Sequence, residues 1–414
     1  MSRLDELIQE LCPNGVEYKA LGELGAFYGG LTGKSKNDFT DGNAKFISYM
    51  NVYSNLALNI NMPDRVKVGN NEHQNTIQYG DVLFTGSSEN TVECGMSSVL
   101  TIKTDESLYL NSFCFGYRFN NNELFSPDFT KYLFRSAELR KQIIRTASGV
   151  TRFNVSKKKM EKVIIPVPPM EVQCEIVRIL DNFTELTAEL TAELTARKKQ
   201  YEYYRDTVLA FDNSIPVYRL SSLCNIGDGL HGTPTYNDNG DYYFINGNNL
   251  INGKIECNPN TKKIGEAEYY RLKKQFTNKT IFMSINGTIG NLAYYNNEDV
   301  ALGKSVAYFI VNNMKLNHKF LYYLLQSPLS KKYFDSMLTG STIKNLGLTA
   351  LRNFKIPVPP LAEQERIVSI LDRFDKLCND ISIGLPAEIE ARKKQYEYYR
   401  DKLLTFKNID SEAN

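Results

Sequence analysis

The longest stretch free of helix breakers sets the plan of the chain. From Met170 to Phe211 there is neither Gly nor Pro, and Ile176, Leu180, Phe183, Leu190, Leu194, Tyr201, Tyr204, Val208 and Phe211 are spaced mainly by threes, fours and sevens. That stripe predicts a coiled-coil-like helix. At 1.5 Å per residue it is ~60 Å long, well beyond an average globular helix. A second stripe, Ile367, Leu371, Phe374, Cys378, Ile381, Leu385, Ile389, Tyr396, Tyr399, Leu403 and Phe406, predicts a second long helix. Ile381, Leu385 and Ile389 step by four twice, which is a stutter. Gly384 and Pro386 place a kink there. Pro166, Pro168 and Pro169 suit an extended entry to the first helix, with Pro169 where a helix can begin.

The regions before the helices, roughly 16–160 and 216–354, carry shorter signals. "DVLFTG" (Asp81–Gly86) and "TIFMSING" (Thr280–Gly287) read as corresponding buried strands running into polar turns. "FCFGYRF" and "VAYFIV" read as the next matching pair. "FTKYLFRSAELRKQII" and "FLYYLLQSPLSKKYF" read as matching amphipathic helices.

The matches belong to a duplication. "VIIPVPPMEVQCEIVRILDNF" (Val163–Phe183) aligns with "FKIPVPPLAEQERIVSILDRF" (Phe354–Phe374) at a shift of 191 residues. Phe129, Tyr132 and Gly149 align with Phe320, Tyr323 and Gly340 at the same shift. "ARKKQYEYYRD" occurs letter for letter at Ala196–Asp206 and Ala391–Asp401, 195 apart. The difference is four residues, the length of one word in "ELTAELTAELTA" (Glu185–Ala196). TAEL thus reads as a ruler in a shared scaffold, each unit adding about 6 Å of helix. Two homologous copies of this size predict a pseudo-two-fold molecule. The expected fold is α/β (mixed α+β): two globular domains separated by two long antiparallel coiled-coil-like helices. The expected boundaries are 1–163, 164–211 (first helix), 212–354 and 355–414 (second helix).

Composition narrows the function. Hydrophobic content is 42% and charged content 23% of 414 residues, ordinary for a globular protein. No apolar run of about 18 residues predicts a membrane span. The seven Cys lie far apart without a CxxC pair, against zinc or a disulfide framework and consistent with the cytoplasm. Net charge is only +2, so nucleic-acid binding would rely on local basic patches. Catalytic words are missing. There is no GxxxxGK[ST] loop, no Asn-Pro-Pro-aromatic word for a flipped adenine, and no HExxH among three His. Gly22–Gly30 is glycine-rich but precedes no convincing helix of a βαβ unit.

The duplicated "IPVPP…Q…IV.ILD.F", the duplicated "KKQYEYYR", the TAEL words and the turn "DGLHGTPTY" (Asp228–Tyr236) together resemble the specificity subunit of type I restriction–modification systems. The resemblance covers nearly the whole chain. It implies that each globular region is a DNA target recognition domain reading one half of a split sequence. It implies that the helices set the gap and dock two modification subunits, which methylate adenine with S-adenosylmethionine. Restriction subunits then add ATP- and Mg-dependent translocation and cleavage. This chain is expected to be non-catalytic and without a cofactor of its own. The runner-up is a free-standing bipartite DNA-binding regulator; the missing catalytic words speak against an enzyme.

Loop residues able to reach bases or phosphates are the candidates for double-stranded DNA. In the first domain they are Lys34, Ser35, Lys36, Ser87, Ser88, Asn90, Arg145, Thr151 and Arg152. In the second they are His231, Thr233, Thr235, Asn286, Thr288, Lys304, Ser305, Ser341, Thr342 and Lys344. The Gly149–Arg152 and Gly340–Lys344 turns form the best match, each with a basic residue after the glycine.

Overall fold

The computed structural model describes residues 2–379 and 384–409. The chain divides into two compact units: Met1–Glu189 with Glu390–Asn414, and Leu190–Ile389. Each is built on the same strand plan. In the first unit, an antiparallel sheet runs in the order Gly25–Gly29, Cys114–Phe119, Val82–Thr85, Ser97–Val99. Beside it lies a three-stranded sheet, Arg65–Val66, Ala44–Ile47, Leu108–Leu110, its last pair parallel. The second unit repeats both. Its first sheet runs Cys224–Asp228, Val306–Val311, Thr280–Ser284, Leu292–Tyr294, and its second Lys263–Ile264, Tyr242–Ile245, Val300–Leu302. The strand pairs expected from sequence are therefore present.

The inner strands show why an unbroken apolar run reads as a strand here. Val82 and Phe84 pack into one core cluster and Leu83 into another. Ile281 and Met283 likewise face one cluster and Phe282 a second. Both faces are covered, so both need apolar side chains.

Each expected amphipathic helix is instead two: Pro127–Leu133 and Ala137–Arg145 in the first unit, His318–Leu325 and Pro328–Met337 in the second. The breaks fall at equivalent serines. Ser136 and Ser327 donate their hydroxyls to the carbonyls of Leu133 and Leu324, both at 2.7 Å. Pro328 then occupies a first-turn position that needs no N–H.

The central helix is Met170–Val208, 39 residues, and its residues divide between the two units. It stops three residues before Phe211. Leu209 turns into the core at 3% exposure, and Asp212 accepts hydrogen bonds from the Ser214 N–H and hydroxyl, turning the chain toward Pro216. In the first unit Phe183 stacks on Tyr399, ring centres 5.4 Å apart. In the second, the equivalent Phe374 stacks on Tyr204, also at 5.4 Å. Thr191, Ala192, Glu193 and Thr195 of the TAEL words are exposed, and Leu186, Thr187, Leu190 and Leu194 are half-buried. The second stripe forms Leu361–Asn379 and Leu385–Leu403. Gly384 accepts the first bonds of the latter, from Ala387 and Glu388, with Pro386 in the first turn where it is tolerated. The stripe position Ile381 lies outside the described residues.

Helix entry is fixed by one residue per unit. Gln173 is fully buried; its amide donates to the carbonyls of Leu124 and Pro168 and its oxygen accepts from Ser126 N–H. Gln364 does the same with Lys315, Pro359 and Asn317.

Candidate nucleic-acid interface

The loops at one end of the sheets meet in the same way in both units. In the first, the turn after Val82–Thr85 pairs with a hairpin: Ser87 opposes Asn154 and Ser88 opposes Phe153. The Gly86 N–H donates to the Phe113 carbonyl. In the second, Asn286 opposes Asn345, and the Ile285 N–H donates to the Ser305 carbonyl. Ser87 and Asn286 are thus equivalent, as are Phe113 and Ser305.

The hairpins turn at Gly149 (φ +148°) and Gly340 (φ +88°). A Cβ there would lie 1.9 Å from the Arg152 carbonyl and 2.2 Å from that of Ile343, so only glycine fits. This register corrects the sequence match. Arg152 is equivalent to Ile343, and Lys344 to Phe153, so the basic side chains stand one position apart.

In the first unit the loops enclose a cleft of about 450 Å³ lined by Tyr49, Met50, Tyr53, Ser87, Ser88, Glu89, Glu93, Phe113 and Arg152. Tyr49 and Tyr53 stack one helical turn apart, 6.2 Å between centres. The Arg152 guanidinium lies 5.4 Å from the centre of the Phe113 ring. It donates from Nε and Nη2 to Ser87 Oγ at 3.1 and 2.9 Å. Of the candidates, Ser87, Ser88 and Arg152 come together here. Thr151 is exposed beside Arg152, and Asn90 adjoins Ser88, to whose hydroxyl its N–H donates. Arg145 is exposed at the end of its helix.

Lys34, Ser35 and Lys36 belong to a different loop. Lys34 is spent within the protein, bonded to the Lys67 carbonyl and to Glu72. That ammonium, aided by Gln74 and the Gly69 N–H, holds the Glu72 carboxyl down to about 2. Ser35 donates its hydroxyl to Asp38, while Lys36 is exposed.

In the second unit the Gly287 N–H donates to the Lys344 carbonyl, joining the Asn286–Thr288 turn to the hairpin of exposed Ser341, Thr342 and Lys344. Ser305 accepts from the Gly247 N–H and donates to Asn246, and exposed Lys304 adjoins it. Leu230 bridges Gly303, bringing the base of the His231 loop alongside. His231 itself bonds Asp228 at 2.6 Å. Thr233 and Thr235 are exposed on the same loop.

Sequence reasoning missed Tyr49, Tyr53, Phe113, Glu89 and Glu93, because it sought cations and amides on loops and treated aromatics as core. The i,i+4 spacing of Tyr49 and Tyr53 on a short helix between polar segments was the available signal. It also missed two half-buried arginines behind the cleft. Arg135 donates to the carbonyls of Ser97, Val52, Tyr53 and Asn55. Arg140 donates to those of Gly95, Val92 and Cys94. Burial pushes both guanidinium groups down to about 10, so both stay charged at neutral pH. They clamp the segments that carry Tyr53 and Glu93.

Among the described residues no helix is long and apolar enough to cross a membrane, and no group of three His, Cys, Asp or Glu could hold a metal. The sequence profile described as the type I restriction modification DNA specificity domain matches residues 13–197 and again 215–391. The chain belongs to that family. A Haemophilus influenzae protein named for a type I restriction enzyme specificity subunit is 36% identical over 273 residues, 63% of this chain and 68% of that one. The specificity subunit of an Escherichia coli type I restriction enzyme is 35% identical over 281 residues, 63% and 67% of the two chains. A chain from a structural study of complex assembly and conformational transition in a type I system shares the fold. Its TM-score is 0.64 at 20% identity, covering 94% of this chain and 97% of that chain.

Proposed function

We propose that each unit of this family member reads its own half of a split DNA target. The observation that carries the reading is one framework with two different sets of tips. At equivalent positions the first unit has Phe113, Ser87 and Arg152, and the second has Ser305, Asn286 and Ile343. Equal frames with unequal loop chemistry are what two different half-sites call for.

The helices would dock two copies of a modification subunit that methylates adenine with S-adenosylmethionine, and restriction subunits would supply ATP- and Mg-dependent translocation and cleavage. The chain itself would carry no catalytic step and no cofactor, and would work in the cytoplasm. Burial separates two kinds of repeat. Along Met170–Phe183 and Leu361–Phe374, the buried Gln173/Gln364, Ile176/Ile367 and Leu180/Leu371 are identical. The exposed pairs Glu171/Ala362, Cys174/Glu365, Arg178/Ser369 and Asn182/Arg373 all differ. In "ARKKQYEYYRD" the exposed pairs Lys198/Lys393, Lys199/Lys394, Glu202/Glu397 and Tyr203/Tyr398 are identical as well. Folding does not demand that, but binding the same partner twice does. The free-standing regulator gives no reason for such paired faces.

Native mass spectrometry with the modification subunit in excess is expected to show two copies bound. Tyr203→Ala with Tyr398→Ala, both on exposed rings, is expected to weaken docking by about 2 kcal/mol per site, ~30-fold in affinity, while the free chain melts as before. A stable one-to-one complex in excess partner would count against the reading.

A further inference from the structure

The surroundings of Arg152 argue against a phosphate contact. Its guanidinium is held twice: it lies against the Phe113 ring, and Ser87 Oγ accepts from Nε and Nη2. Those contacts fix the plane of the fork and leave Nη1 and one Nη2 hydrogen for a ligand. A guanine edge, with O6 and N7 side by side, needs an oriented planar fork. A phosphate accepts such a fork bidentately as well.

The charges around the fork decide between the two. Glu89 and Glu93 line the same cleft. A phosphodiester seated on Arg152 would meet two carboxylates, at a Coulombic cost. A G·C pair is complementary to that mixture. Guanine presents two acceptors to the arginine, and cytosine N4 presents a donor that a carboxylate accepts. Glu93 lies beside Tyr53, whose hydroxyl it pushes above the usual tyrosine range. Glu89 is exposed and free to serve.

We propose that Arg152, with Glu89 beside it, specifies a G·C base pair in the half-site read by the first unit. The second unit has no counterpart, since Ile343 occupies the equivalent position. This rests on the two-reader function above and assigns one base pair within it.

The experiment is methylation mapping in cells that carry the full chain with its modification subunits. The half belonging to the first unit is identified by exchanging residues 16–160 for those of a relative. The wild-type first half-site is expected to contain G·C. Arg152→Ala is expected to lose discrimination at one such pair by roughly 5- to 150-fold, with the other half unchanged. Arg152→Lys keeps the charge but not the fork, so it should relax the same position while in vitro binding keeps its salt dependence. A first half-site without any G·C pair would overturn the assignment. So would an Arg152→Ala variant that weakens all sequences alike, as loss of a phosphate contact does, or one whose specificity is unaltered. Each of those leaves the two-reader function standing. If the wild type yields no two-part motif at all, the function itself fails and the assignment with it.

Discussion

Deleting Thr191–Leu194 is expected to leave both half-sites intact and to shorten the unspecified gap between them by about one base pair, or at most two. The segment removed is about 6 Å of helix, against about 3.4 Å of rise per base pair. Only part of the helix length need project along the DNA. Thr191, Ala192 and Glu193 are exposed and Leu194 is half-buried, so little packing is lost. Four residues are close to one turn, so the helix beyond the deletion turns only ~40° relative to the Leu186–Leu190 row. Removing two residues instead rotates everything beyond by about half a turn. That breaks the apolar stripe of the helix, and modification should be abolished. Methylation mapping separates the cases. An unchanged gap with full activity after the four-residue deletion would show the repeat to be filler.

The second large effect is on stability. Gln364→Leu keeps the side chain's approximate volume but removes three hydrogen bonds at a fully buried position. The Asn317 N–H and the Lys315 and Pro359 carbonyls lose their partner. Each stranded backbone group costs about 1–3 kcal/mol, so a loss of about 3–5 kcal/mol is expected after partial relaxation. For a unit of this size that lowers the melting midpoint by ~10 °C. Exposed Gln275→Leu should cost no more than about 0.5 kcal/mol. Thermal unfolding of the two variants side by side checks this. Equal midpoints would mean that the buried glutamine does not hold the helix entry.

The frame was legible because its signals are periodic or duplicated. The stripe through Ile176, Leu180 and Tyr201 announces the long helix. The shift of 191 residues pairs Gln173 with Gln364 and Phe183 with Phe374, and those residues make the same contacts in both units. Helix ends were less legible. Phe211 continues the heptad but lies past the end of the helix, because Asp212 and Pro216 favour a turn. Ser136 and Ser327 break helices whose apolar pattern runs on across them.

The cleft was least legible, since it depends on loop register. A basic residue after the glycine in both halves suggested that Arg152 and Lys344 correspond. The strand pairings Ser87 with Asn154 and Asn286 with Asn345 put them one position apart. Arg135 and Arg140 look like ordinary charged helix residues in the sequence. Only burial reveals them as clamps on carbonyls.

The central claim, one half-site per unit, is tested most directly by exchanging residues 16–160 for the same region of a relative with a different target, then mapping methylation with the modification subunits present. The account predicts that one half of the target changes to the relative's while the other half and the gap stay as they were. A change in both halves together, or in neither, would contradict it.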